Sequence, residues 1–242
     1  VPWTIHLAAS MNSGGIVPFY HVDLDVYREG GQALLRGENL YTQSYVLGNG
    51  VSLPFTYPPF AAALFALVSW MPLWPLSLLL TAASLGALWA CLYAVISRCC
   101  DVDRPDWWAT WALLACALTE PITENFSFGQ VNLLLTAAVV VDCLLLRPRS
   151  PWRGVLTGIA MAIKLTPAVF LAVFFVRRDW RALATAIGAF IACGVVGYLA
   201  SPASSAAYWT DTLRDSSRIG TLSYSSNQSL RGLLSRVSPE EA

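Results

Sequence analysis

Charge is scarce in this chain. Only 12% of its 242 residues are Asp, Glu, Lys or Arg, roughly half of the ~25% usual in soluble domains. So little charge cannot cover a water-facing surface, which excludes a soluble globular domain, a disordered chain and a coiled coil. Lysine is scarcer still: of fifteen basic residues fourteen are Arg, and Lys164 stands alone. Neither sign is in excess, with 15 basic against 15 acidic residues, so no net field draws the chain to nucleic acid or to an anionic membrane surface. Six cysteines are too few and too scattered for a secreted disulfide scaffold. None has metal-ligand spacing, and they read as buried thiols. There is no Gly-rich phosphate loop, no dinucleotide fingerprint and no repeat period, so no nucleotide site is assigned. Nor is a cleavable signal peptide recognisable in this sequence.

What is abundant is apolar surface. Hydrophobic residues make up 56% of the chain, and the mean hydropathy is +0.54. This composition predicts an all-α polytopic membrane protein. Apolar runs cover about 1–19 (interrupted by Asn12 to Gly15), 58–72, 75–97, 107–119, 129–146, 154–176 and 182–200. The chain starts partway into an apolar stretch and ends without a closing helix. It reads as one transmembrane domain over 1–242, part of a longer protein.

Arginine placement sets the expected topology. Arg98 and Arg104, then Arg147, Arg149 and Arg153, then Arg177, Arg178 and Arg181 follow three successive runs. The positive-inside rule puts all three loops in the cytoplasm. Run 75–97 already carries the chain inward, so 58–72 is expected as a juxtamembrane or re-entrant helix on the outer side. Run 154–176 has arginines at both ends. A single 23-residue span would fit the membrane but would place Arg177 and Arg178 outside. A broken hairpin, 154–164 and 166–176, keeps them inside; each arm is ~16 Å long at 1.5 Å per residue, so its tip falls within the ~30 Å hydrocarbon core. The polar stretches 20–57, 120–128 and 201–242 then share the outer face with that tip.

Candidate chemistry gathers on that face. His21-Val22-Asp23-Leu24-Asp25 offers two carboxylates for general-base work, on one side if extended. If Asp25 opens a helix, it is an N-cap instead. Residues 24–37 read as an amphipathic surface helix ended by Gly37, with Tyr27, Leu34 and Leu35 toward lipid and Arg28, Glu29 and Arg36 toward water. Tyr57 precedes Pro58-Pro59 as an interfacial anchor. Glu124, Gln130 and Asn132 lie between two membrane helices, where polar groups need partners. Lys164 sits mid-run beside Thr166-Pro167. A lone ammonium there needs an anion, either an acid such as Glu124 or a bound phosphate. Asn227-Gln228-Ser229 opens a helix that carries Arg231.

Several segments in order resemble a known family. They are Asp23-Leu24-Asp25-Val26-Tyr27 running into Gly30-Gly31-Gln32-Ala33-Leu34-Leu35-Arg36-Gly37, with Leu40-Tyr41 after. Then come Phe55-Thr56-Tyr57-Pro58-Pro59-Phe60, Gly129-Gln130-Val131-Asn132, Lys164-Leu165-Thr166-Pro167 and Ser226-Asn227-Gln228-Ser229. From about residue 16 onward the chain resembles glycosyltransferase family 87, the polyprenyl-phosphate-mannose-dependent α-mannosyltransferases of actinobacteria, with the GT-C fold. The resemblance implies an inverting transferase of the plasma membrane. It would move mannose from a polyprenyl-phosphate donor to a hydroxyl of a glycolipid or lipoglycan on the outer face. It implies Asp23 as base, with Asp25 as second choice. Lys164, Gln130, Asn132 and Arg231 would hold the donor phosphate, and His21, Tyr27, Tyr57, Glu124, Asn227 and Gln228 would line the substrate site. No metal site and no cofactor beyond the lipid-linked sugar is assigned, and the expected partners are lipids and not nucleic acid. Two rival readings are a lipid or sugar transporter or flippase and an inactive truncated membrane protein. A transporter predicts inverted repeats and polar groups through the membrane depth, whereas here they sit at one face.

Overall fold

Apolar runs of this length fold as helices, and among the described residues of the computed structural model every regular element is helical except for one small β-hairpin. It describes residues 20–215, 218 and 229–237; the apolar run 1–19 lies outside the described residues. Helix α1 (Val22–Leu35) is followed by the antiparallel pair β1 (Ser44–Val46) and β2 (Ser52–Pro54), in which Tyr45 faces Leu53. The short α2 (Pro59–Ala66) begins on two prolines. At eight residues it is ~12 Å long, too short to cross a bilayer. Among the described residues two helices are long and apolar enough to do so: α3 (Leu73–Cys99) and, further on, α9 (Trp180–Ala200).

Between them the chain is broken up. Helix α4 (Pro105–Cys116) runs back along α3, and α5 (Glu120–Phe128) ends at Gly129. Gly129 has φ +69°, a left-handed conformation that glycine adopts without strain. There the chain turns by 120° into α6 (Asn132–Val140) and a π-helical turn over Val141–Leu145. The next helix is α7 (Val155–Ile163). A 3₁₀ turn (Thr166–Phe170) and α8 (Leu171–Val176) lead into α9, and α10 (Pro202–Thr210) and α11 (Leu230–Val237) complete the described chain.

Segment 154–178 is a hairpin, as its helix contacts show. A Cβ added at Gly154 would fall 2.2 Å from Ala182 O, and one at Gly158 would fall 2.3 Å from Ala186 O. The contact advances four residues on both helices in the same sense, so α7 and α9 run parallel. The segment joining them must therefore return the chain to its starting level. Its base is closed by an ion pair, with Arg153 Nε 3.0 Å from Asp179 Oδ2. Arg153 is buried, stacks over the Phe174 ring at 5.7 Å, and donates to the carbonyls of Cys143 and Leu146. Phe174 itself packs on Ala182 and Ala186. At the same end Asp142, fully buried, accepts from Thr157 N–H at 2.7 Å and so caps the first turn of α7. Arg98 reaches across from α3 to the carbonyl of Leu144. These arginines close off carbonyls that the π turn leaves unpaired.

The opposite end is roofed by α1, the hairpin, α2 and α10. Tyr27, Phe55, Leu40 and Ala61 form the middle of this apolar layer. Leu40 N–H donates to Ser204 Oγ at 3.2 Å, and the Tyr41 and Tyr208 rings pack at 5.4 Å. Gln32 Nε2 donates to Ser69 O at 2.9 Å, tying α1 to the end of α2. The 24–37 helix differs from its surface reading. Tyr27 is 1% exposed and belongs to the core, while Leu35 is 69% exposed. The extra burial comes from α2, which covers the side of α1 that the pattern alone assigns to lipid. The cysteines are all unpaired, but only Cys91 is buried; Cys99 and Cys100 are exposed at the end of α3.

The base of the hairpin gives the first prediction. Arg153→Met should lower stability in detergent by about 3–5 kcal/mol, because it leaves the Asp179 carboxylate without its counter-charge. Adding Asp179→Asn, which can still cap Ala182 N–H, should recover part of that loss. Chemical unfolding of the two variants measures the difference.

Candidate active site

Asp23 and Asp25 both lie in the first turn of α1, which starts at Val22 with His21 as its N-cap. This differs from both the extended and the Asp25 N-cap readings. Two residues along a helix turn a side chain by about 200°, so the carboxylates point apart and take different roles. Asp25 is 2% exposed and fully engaged. It accepts from Tyr20 O–H at 2.9 Å, Gly48 N–H at 2.9 Å and Arg28 Nη1 at 3.2 Å. It fastens α1 to the β1–β2 turn. Sequence reasoning missed this anchor, since a backbone N–H at Gly48 leaves no signature in residue types. Burial and the Asp25 charge push the Tyr20 hydroxyl well above its ordinary range.

Asp23 turns the other way and is half-buried. Its Oδ2 accepts from Gln130 Nε2 at 2.7 Å. Gln130 Oε1 accepts from Asn132 Nδ2 at 2.6 Å, and Asn132 Oδ1 accepts from Lys164 Nζ at 2.9 Å. The four side chains form one continuous hydrogen-bonded row from α1 through the α5–α6 turn to the hairpin tip. Gln130 stands in the turn just before α6, while Asn132 is the first residue of that helix. Lys164 is in extended conformation directly after α7. No ion pair among the described residues includes Lys164, so the Glu124 partner is not formed. Its ammonium instead sits 5.6 Å from the centre of the Tyr57 ring.

Tyr57 and Tyr27 share a hydrogen bond of 2.9 Å between hydroxyls, and their rings meet edge-on at 5.0 Å. Burial raises both hydroxyls above the ordinary tyrosine range, and the nearby Asp23 charge adds to it. They are therefore neutral donors and not bases near neutral pH. His21 is buried against Gly129, and burial holds its ring below the ordinary imidazole range, in the neutral form. For Asp23, burial raises the carboxyl above the usual carboxylate range, while the Gln130 hydrogen bond and the Lys164 charge pull it back down.

Glu124 is half-buried on α5, and Arg231 is exposed on α11. Asn227 and Gln228 lie outside the described residues. Beside the row, an apolar cavity of about 250 Å³ lies between α1 and α3, walled by Leu24, Tyr27, Phe65, Leu76, Leu80 and Leu134.

Fold and site together define an all-α membrane protein with a recessed carboxylate-to-lysine site at one end. More specifically, the chain belongs to glycosyltransferase family 87, whose family model matches residues 55–240. It is 40% identical over 239 residues to a polyprenol-phosphate-mannose-dependent alpha-(1-2)-phosphatidylinositol mannoside mannosyltransferase of Mycolicibacterium smegmatis, covering 92% of this chain and 53% of that protein. The protein of the same description from Mycobacterium tuberculosis is 37% identical, with 90% and 54% covered. A polyprenol-phosphate-mannose-dependent alpha-(1-2)-phosphatidylinositol pentamannoside mannosyltransferase of Mycolicibacterium smegmatis is 36% identical, with 91% and 53% covered. The chain thus spans about half the length of the curated relatives it matches. No solved structure matches it.

The two carboxylates are separable by experiment. Asp25→Ala removes the shared acceptor of three donors and should cost about 2–4 kcal/mol of stability. Asp23→Ala, which strands only the Gln130 amide, should cost about 1 kcal/mol or less. Thermal unfolding in detergent ranks the pair.

Proposed function

We propose that the full-length protein is an inverting α-mannosyltransferase. It moves mannose from a polyprenyl-phosphate-mannose donor to a hydroxyl of a phosphatidylinositol-mannoside type of glycolipid, at the outer face of the plasma membrane. The observation that carries this reading is the row from Asp23 to Lys164, which holds a base and a fixed cation in one recess of a family 87 chain. Family membership and the relatives' names support the sugar and the lipid-linked donor.

In this mechanism Asp23 accepts the proton of the acceptor hydroxyl. That oxygen attacks the anomeric carbon from the face opposite the leaving group. The bond from the anomeric carbon to the phosphate oxygen breaks, and its electron pair leaves with the polyprenyl phosphate. Lys164 faces the charge that grows on that phosphate, an electrostatic contribution made in the transition state. The neutral hydroxyls of Tyr27 and Tyr57 are placed to orient the sugar by donating hydrogen bonds. Because burial raises the Asp23 carboxyl, activity should fall as pH drops through a value above the usual carboxylate range, where Asp23 takes up a proton.

Radiolabelled polyprenyl-phosphate-mannose and the full-length protein test the reading. Asp23→Asn should lower turnover by at least about a hundredfold while donor binding holds. Lys164→Met should weaken donor and polyprenyl-phosphate binding together and leave acceptor binding alone. An Asp23→Asn enzyme with wild-type turnover would refute the assignment of the base.

Sidedness has its own test in intact cells. Cysteines placed at Ser44 and Ser150 should report opposite faces, with Ser44 labelled from outside and Ser150 protected. External labelling at Ser150 contradicts the outer-face assignment.

A further inference from the structure

We propose that Gln130 and Asn132 are positioning residues that couple the two ends of the site, so that a donor phosphate engaging Lys164 makes Asp23 a stronger base. This rests on the mannosyltransferase reading above and adds a link between donor binding and acceptor activation.

The row has a fixed direction. Lys164 Nζ can only donate, and an ionised Asp23 can only accept. Asn132 therefore takes the lysine on its oxygen and donates with its nitrogen, and Gln130 does the same one step further on. Turning either amide over would set two donors or two acceptors against each other. The termini thus dictate both amide orientations, and every N–H in the row points from lysine toward carboxylate. Hydrogen bonds aligned in this way polarise one another. Two charges joined directly would neutralise each other and occupy both groups. Two amides between them leave the ammonium able to meet an anion and the carboxylate able to meet a hydroxyl, while each still senses the other.

That sensing has a sign. With the site empty, the Lys164 charge and the Gln130 hydrogen bond both favour ionised Asp23 and weaken it as a base. A phosphodiester at Lys164 cancels that charge and competes with Asn132 Oδ1 for its N–H groups. The row is less polarised, and Asp23 is left closer to the basicity that burial alone would give it. Proton affinity at Asp23 rises as the donor binds, so donor binding takes up protons near that pH. Other titratable groups near Asp23 are His21, Tyr27 and the Asp25–Arg28 pair on α1 and Tyr57 ahead of α2, and α5, which packs on α1, carries Glu120 and Glu124. The tyrosines are neutral throughout the acid range. Of the rest, His21 is the group whose titration has to be separated from that of Asp23.

The test is a difference between two pH profiles of the full-length enzyme. The profile of kcat/KM for donor reports the free enzyme, and that of kcat/KM for acceptor at saturating donor reports the donor complex. In the wild type the acid limb of the second should lie about one pH unit above the first. Gln130→Met and Asn132→Leu should each close that gap, and His21→Gln should keep it. A merely structural role for the amides would lower rates at all pH values and leave the gap in place. Where a variant is inactive, calorimetry of donor binding in buffers of different ionisation heat reads the same coupling as proton uptake, present in the wild type and lost in Gln130→Met. A gap or an uptake that persists in both amide variants, or that vanishes in His21→Gln, overturns the relay. Full turnover in Asp23→Asn would instead remove the base itself, a failure of the underlying reading that the amide variants do not produce.

Discussion

Between α6 and α9 the chain leaves one level of the bundle and comes back to it, and this architecture depends on the turn between. Between Arg153 and Asp179 the backbone goes in through α7, breaks at Lys164, and returns through a 3₁₀ turn and α8. Each break leaves backbone groups without helical partners, and in a bilayer such groups need protein or a water-filled recess around them. The break therefore cannot face lipid. It is covered by the start of α6 on one side and by the α1–α2 roof above. That cover brings Asn132, Gln130, Tyr57 and Asp23 to the one lysine in the chain.

The two ends of the bundle treat charge in opposite ways. At the hairpin base Arg153 and Asp179 meet directly, with Phe174 stacked beneath, and both charges are spent on holding the fold. At the tip, Lys164 and Asp23 are held in one row without touching. The same contrast separates the two carboxylates of α1. Asp25, with three donors around it, is an anchor, whereas Asp23, with one amide, keeps lone pairs available. How completely a polar group is satisfied thus separates structural from chemical roles more sharply than residue type does.

Much of this was legible in the residue pattern, for reasons that can be traced. Arginines at both ends of 154–176 favour a return to the same side over a straight span, so the hairpin was expected from charge and length. A single lysine at a proline break, and two amides at a helix start, advertise themselves because each is costly in an apolar setting. What could not be read was pairing at a distance. Gln130 meets Asp23 across more than a hundred residues, and nothing in either neighbourhood names the other. The divergence of Asp23 and Asp25 depended on the helix starting at Val22, three residues ahead of the alternative cap. Arg153 read only as a loop charge, and Asp142 drew no reading at all. Their burial depends on the π turn at Val141–Leu145, and a local widening of the helix has no periodicity to betray it.

The parallel seating of α7 on α9 also bears on how the protein is made. The nine residues of α7 reach only ~14 Å, the return arm is broken into a 3₁₀ turn and the six-residue α8, and neither is long enough to be a span of its own. What holds them is α9, against whose backbone Gly154 and Gly158 lie. Since α9 follows in the chain, the hairpin is fully seated only once α9 is in place, although Asp142, which caps α7, and the Cys143 and Leu146 carbonyls, which hold Arg153, precede it. The hairpin therefore gains its seat in two parts, first from residues that precede it in the chain and then from α9.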